Sequence, residues 1–212
     1  MLEPFTLEGT HVRLEPLSES HIAPLVVAAA EDRSHYQWTY VPDGTEQMTE
    51  YVRDALASAA SGAQVAFATV RRCADAGGDD RVVGATRFCE VSCWQWPPGA
   101  SQQRNGVPDA VDIGATWLAG SAQRTLVNTE AKLLMLAHAF EVWGVHRVAL
   151  QTDFRNRRSW AAIERIGGKL DGLLRADRPG ADDTVRTSAR FSIVASEWPE
   201  VKARLMERLA RD

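Results

Sequence analysis

Hydrophobic spacing along this chain changes period three times between Val111 and Leu150, and that stretch organises the rest. Val111 to Leu118 is apolar and rich in β-branched residues, which predicts a strand, and Ser121 to Asn128 is a polar loop. Leu133, Leu136, Ala137 and Phe140 then recur at three- and four-residue spacing, predicting a helix that stops near Gly144. His146 to Leu150 alternates as a second strand. Upstream, His11 to Glu15 reads as a strand, Ser18 caps a helix to about Ala30, and Met1 to Gly9 has no clear period. A further helix runs from Thr45 to Ala60, with Tyr51, Val52, Ala55 and Leu56 on its buried face. Gln64 to Arg71 and Arg81 to Phe88 are strands joined by the polar turn ADAGGDD. Ser92 to Asp109, with three prolines, Trp94 and Trp96, reads as a long loop. Downstream, Asn156 caps a helix to about Ile166, ended by Gly167-Gly168, and Leu170 to Ala176 is a strand. In Asp183 to Val194 the residues Val185, Thr187, Ala189, Phe191 and Ile193 share one face, and Arg186, Ser188 and Arg190 the other. Ser196 caps a last helix to about Ala210.

Hairpins at both ends with one strand–helix–strand unit between them predict a mixed α/β fold. The central unit leaves amide N–H groups unpaired at its helix N-terminus, a natural seat for phosphate. A length of 212 residues with 45% hydrophobic and 25% charged positions fits one globular domain over 1–212. A net charge of −4 with no basic stripe argues against nucleic acid as partner. No apolar run approaches the roughly 20 residues of a membrane span and no leader pattern precedes the first strand, so a cytoplasmic protein is expected. Cys73, Cys89 and Cys93 form no metal pattern with the scattered histidines; they read as reduced thiols, with no metal expected.

Three motifs change this picture: VDIGATWL, then SAQRTLVNTEAK, then TDFRNRRSWAAIERIGGKLDGLLR. With the opening LEGTHVRLEPLSESHIAPL, they resemble in order and spacing the GNAT N-acetyltransferases, and within them the RimJ/RimL branch, over nearly the whole chain. The resemblance implies a central, mostly antiparallel twisted sheet with a V-shaped splay between its two middle strands, flanked by helices. It implies acetyl-CoA as cosubstrate, with the pantetheine arm along Ile113 to Leu118 and the thioester oxygen polarised by a strand amide near Trp117 or Leu118. The coenzyme-binding residues would be Thr116, Trp117 and Leu118 on the strand, then Gln123, Arg124, Thr125, Leu126, Val127, Asn128 and Thr129 on the loop and helix start. Asn156, Arg158 and Ser159 would join them. The family's loop pattern is Gln or Arg, two residues, Gly, one residue, Gly or Ala; here these positions hold Gln123, Leu126 and Asn128. Leu126 would cost about 1–2 kcal/mol if its backbone had to be left-handed, and Arg124 would compensate by charge. Many members carry a tyrosine acid seven residues after the asparagine; Ile163 stands there, and Ser159 is the candidate acid instead. Arg155, Arg157 and Arg158 either face phosphates or form a solvated turn.

The implied reaction is direct attack of a neutral amine on the thioester. A protein α-amine, with pKa near 7.7–8.0, is roughly 10–20% neutral at pH 7, whereas a lysine is neutral at well under 0.1%. A modest base therefore suffices for an N-terminal acceptor. Asp112 and Glu90 are the carboxylates placed for it, Asp112 slightly preferred. Trp94, Trp96, Tyr36, Trp38 and Tyr40 are expected to wall the acceptor side. The acceptor is a protein N-terminus, such as that of a ribosomal protein, or a small amine. A silent coenzyme-binding module is the remaining alternative, and monomer and homodimer both stay open.

Overall fold

The computed structural model describes residues 3–73, 79–104 and 106–211. Strands β1 (Leu7–Glu8) and β2 (Val12–Pro16) precede helices α1 (Ile22–Ala30) and α2 (Gly44–Ala60). Strands β3 (Val65–Arg71), β4 (Arg81–Ser92) and β5 (Ala110–Leu118) lead into α3 (Leu126–Ala137), which runs on as a π-helical turn over His138–Trp143. Then come β6 (Arg147–Asp153), α4 (Arg157–Arg165), the hairpin β7 (Lys169–Pro179) and β8 (Val185–Val194), and α5 (Trp198–Ala210). Among the described residues the eight strands form a single sheet in the order β1-β2-β3-β4-β5-β6-β8-β7. Every pairing is antiparallel except β5 with β6. The mixed α/β architecture expected from the motifs is the observed one.

Alternation along β4 places helices on both faces of the sheet. Arg87 stacks on Tyr51 of α2 at 4.9 Å, while its neighbour Thr86 accepts a hydrogen bond from Lys132 of α3. The core on the α3 side holds the fully buried Phe67, Phe88, Phe191, Met135 and Leu136. Val52 and Ala55 of α2 are buried as expected, joined by Met48, with Tyr51 and Leu56 half-buried beside them. The α3 face is rotated from the expected one. Ala131, Lys132, Met135, Leu136 and Ala139 are buried, and Leu133, Ala137 and Phe140 are half-buried at its edge.

Several boundaries move for local reasons. The strand β1 lies in a stretch too short for a period to show. β4 continues to Ser92, four residues past the expected end, carried by a bulge at Glu90. α3 starts at Leu126, inside the expected polar loop, because the Thr125 hydroxyl accepts from the Val127 amide at 3.3 Å and caps it. Glu197, not Ser196, stands at the N-cap of the last helix without a side-chain cap bond, and its carboxylate instead accepts from the Val194 amide at 3.0 Å across the preceding turn. Gly144 ends the π turn at φ 64, as expected of a glycine there. Residues 74–78 of the expected ADAGGDD turn lie outside the described residues.

One buried carboxylate fixes α3 against the sheet edge. Glu130, 6% exposed, accepts from the amides of Thr10, His11 and Val12 at 2.9, 2.6 and 2.8 Å. Three charge-assisted bonds to one side chain hold the helix rigidly. The orientation of the α3 N-terminus follows from that anchor.

Candidate active site

β5 and β6 pair at only three levels, Ala110 with Arg147, Val111 with Val148 and Asp112 with Ala149. Beyond Asp112, β5 stays on β4 up to Leu118 and β6 stays on β8 up to Asp153, so the two diverge. This is the V-shaped splay. The β5 backbone from Ile113 to Leu118 therefore has no strand on its β6 side, and a backbone edge left this way accepts an extended ligand. The β4–β5 register also slips twice, with Ala115 at φ 46 and Glu90 at φ 50. Each left-handed residue costs about 1–2 kcal/mol, and strain held in this way clusters at functional positions. The slip passes over Ala115 and Thr116, whereas Trp117 and Leu118 pair with Ala85 and Gly84. The Leu118 carbonyl is also taken, by the Tyr36 hydroxyl at 3.0 Å and Gln123 Nε2 at 2.9 Å. On the β6 side the open edge thus runs from Ile113 to Leu118, with the Leu118 carbonyl already bonded.

Both helices that follow the splayed strands present their N-termini at its mouth. On the β5 side, Gln123 donates to Leu118 and its Oε1 accepts from Arg158 at 2.6 Å. Arg124 takes the left-handed conformation at φ 60, and Leu126 is already helical. The concern over a missing glycine therefore moves from Leu126 to Arg124, an exposed cation with no ion pair among the described residues. On the β6 side, the Asn156 side-chain Oδ1 caps α4 by accepting from the Ser159 amide at 3.0 Å, and its Nδ2 donates to Thr39 at 3.4 Å. Arg158 bonds His35 Nδ1 as well as Gln123, so it ties the two lips together. The Arg155 guanidinium is held by Asp153 and Asp182 at 2.8 Å each and lies 4.0 Å over Trp38. Arg157 lies against Trp160 at 5.6 Å.

The apex of the V is Asp112, 5% exposed. Its Oδ1 accepts from Arg190 at 3.1 Å, and Oδ2 is buried without a partner among the described residues. Burial raises its pKa above the usual carboxylate range, against the pull of Arg190, and nearby Glu90 adds to the rise. Glu90 itself is exposed on its bulge. Directly across from Asp112, burial and that carboxylate push the Cys89 thiol up to about 11, which leaves it protonated and unsuited to nucleophilic attack.

The expected aromatic wall separates into two groups. Trp94 and Trp96 are bonded to Asp109 at 2.7 and 3.0 Å and pack on His146, at the paired, closed end of β5 and β6. They are packing residues there, not part of the open cleft. Trp38 and Tyr40 instead line a cleft of about 450 Å³ against the β7–β8 hairpin, with Arg178 and Arg186. Tyr36 sits under the end of β5, its ring 6.2 Å from Trp117, and burial raises its hydroxyl to about 12.

Two features went unread in the sequence. The segment between α1 and α2 straps both lips, through Glu31 to the Ser121 amide at 3.0 Å, Tyr36 to Leu118, and Thr39 to Asn156. The cluster of three aromatics in a polar stretch was its visible signal. Behind the splayed half of β5, Lys132 is 4% exposed and donates to Thr116 Oγ1 at 2.8 Å and Thr86 Oγ1 at 3.1 Å. No carboxylate pairs with it among the described residues, and burial drops its pKa to about 7. Its spacing of three and four from Met135 and Leu136 was the available clue.

The site so built, a splayed strand pair with two helix N-termini at its mouth, can be set beside known proteins. The model of the acetyltransferase (GNAT) domain matches residues 11–169. A solved T. thermophilus protein described only by its acetyltransferase class is 30% identical, covering 99% of each chain with a TM-score of 0.76. A GCN5-related N-acetyltransferase from Brucella melitensis is 23% identical, covering 97% of this chain and 86% of its own, with a TM-score of 0.79. Mycobacterium smegmatis RimJ, solved with CoA-disulfide, is 20% identical over 97% of this chain and 95% of its own, with a TM-score of 0.73. No curated protein sequence matches. None of the described helices is long and apolar enough to cross a membrane. On the domain match and the likeness over nearly the whole chain, the chain belongs to the GNAT acetyltransferase family.

Proposed function

We propose that this GNAT acetyltransferase, acting as one catalytic domain, transfers an acetyl group from acetyl-CoA to the N-terminal α-amine of a protein, as in the RimJ/RimL branch. The observation that carries the reading is Asp112: a buried carboxylate at the apex of the splay, one oxygen fixed by Arg190 and the other unpartnered among the described residues. When bound, acetyl-CoA supplies an acyl thioester open to direct attack by an amine. The unpaired edge of β5 from Ile113 to Leu118, including Thr116 and Trp117, would hold the extended arm, and an amide of that strand near Trp117 or Leu118 would polarise the thioester oxygen. The N-terminus of α3 from Thr125 to Thr129, with Leu126, Val127 and Asn128 in its first turn and the Val127 amide capped by Thr125, would hold phosphate together with the Arg124 cation. Gln123, Arg158 and Asn156 would position the two lips.

Asp112 would take the proton from the attacking amine, directly or through water, and Glu90 would add negative potential near it. Ser159, whose amide is fixed by Asn156 and whose hydroxyl stays free among the described residues, would return a proton to the departing sulfur. A modest base suffices for an α-amine, part of which is already neutral at pH 7, whereas a lysine asks more of it. The likeness in fold to a RimL, a ribosomal L7/L12 alpha-N-protein acetyltransferase, supports a protein acceptor, including a ribosomal one, over a free small amine.

Thiol release from acetyl-CoA is the test. Peptides beginning with Ala or Ser should release thiol at least about tenfold faster than spermidine or lysine at pH 7. Release with small amines only would overturn the protein-acceptor reading. No release with any acceptor, despite coenzyme binding, would overturn the enzymatic one.

A further inference from the structure

Arg178 and Arg186 are direct cross-strand partners near the end of the β7–β8 hairpin, and both line the cleft with Trp38 and Tyr40. Like charges placed opposite each other in an antiparallel pair repel, so the pairing costs stability unless something of opposite charge meets it. Arg178 has one: its Nε bonds Asp177 at 2.8 Å. Arg186 uses only its Nε, donating to Ser188 Oγ at 2.8 Å, and that hydroxyl in turn donates to Asp177 at 2.6 Å. The two terminal nitrogens of Arg186 have no acceptor, and no carboxylate lies within ion-pair range of it, among the described residues. The guanidinium is half-buried, and burial together with Arg178 pulls its pKa below the ordinary value. The neighbouring acids are occupied, since Asp153 and Asp182 are both held by Arg155. Asp183, also in the cleft lining, is exposed and therefore weakly felt.

We infer that Arg186 receives a carboxylate of the acceptor, an acidic side chain near the N-terminus being acetylated, in the cleft between the β7–β8 hairpin and the α1–α2 segment. The inference rests on the N-terminal reading above and names the acceptor more narrowly. Position follows from the strand: Arg190, bonded to Asp112, and Arg186 are on the same face of β8, four residues apart. At about 3.3 Å per residue that is roughly 13 Å. An extended peptide with its amine at Asp112 covers that distance in about three or four residues. An aspartate or glutamate at the third or fourth position would therefore meet the free guanidinium edge, and Trp38 and Tyr40 would cover its apolar stem.

The test compares six-residue peptides that begin with Ala and differ only in Glu or Gln at the fourth position. With the wild-type enzyme the Glu peptide should have a kcat/KM about tenfold higher, expressed in KM, and the advantage should shrink as salt is raised. Arg186→Gln should bring the Glu peptide down to the level of the Gln peptide, and Arg186→Lys should restore part of the difference. Equal rates for the two peptides with wild-type enzyme, or a preference that survives Arg186→Gln, would overturn the assignment. Turnover of neither peptide would instead overturn the N-terminal reading beneath it, so the two failures are distinguishable.

Discussion

Asp112→Asn is expected to lower kcat/KM at pH 7 by about 100-fold or more, the usual contribution of a positioned base. Glu90→Gln, on an exposed bulge, should lower it only a few-fold. The wild-type acid limb of kcat/KM should lie above the ordinary aspartate range, because burial raises the Asp112 pKa, and Asp112→Asn should remove that limb. Stability separates this from a folding defect. A carboxyl whose pKa is raised by folding binds its proton more tightly in the folded state, so its ionisation costs stability as pH rises through that range. Asn carries no charge at neutral pH and can still accept from Arg190, so the thermal midpoint at pH 7 should be unchanged or higher. A double variant, Asp112→Asn with Glu90→Gln, that turned over normally at pH 7 would remove the general-base role.

Lys132→Met should stabilise the protein. Folding lowers the pKa of this buried amine to about 7 from its ordinary 10.5, so the unfolded chain holds its proton over that range and the folded chain does not. Wild-type stability therefore rises as pH increases from 7 toward 10.5, and the deficit is largest at and below pH 7. Methionine fills similar space without the charge, and Thr86 and Thr116 still bond each other at 2.7 Å. The gain at pH 7 should be about 2–4 kcal/mol, or roughly 5–10 °C in Tm, narrowing toward pH 10. A variant less stable at pH 7, or a difference that does not change with pH, would contradict this account of Lys132.

These two residues mark how far the sequence could be read. Asp112 was legible because β5 is a clean apolar run in which one acid stands out, and the motifs around it fix the fold. The splay and the capping asparagine were legible for the same reason. What stayed hidden depends on contacts distant in the chain. Glu130 finds three amides from Thr10 to Val12, and Lys132 finds two threonines on different strands. Spacing places such charges on a helix face without showing what meets them. The pattern raises the cost of a left-handed backbone at Leu126 only as a condition; Leu126 is helical and the left-handed residue is Arg124, because Thr125 caps the helix sooner than the polar run suggests. Trp94 and Trp96 misled because aromatics in an irregular loop read alike whether they recognise a ligand or cover a strand end.

The central claim is that the splayed half of β5 and the start of α3 hold the coenzyme. Amide hydrogen exchange with and without saturating CoA tests it most directly. Slower exchange is predicted in peptides covering Ile113 to Leu118 and Thr125 to Thr129. Binding detected by calorimetry with neither stretch slowed would contradict it.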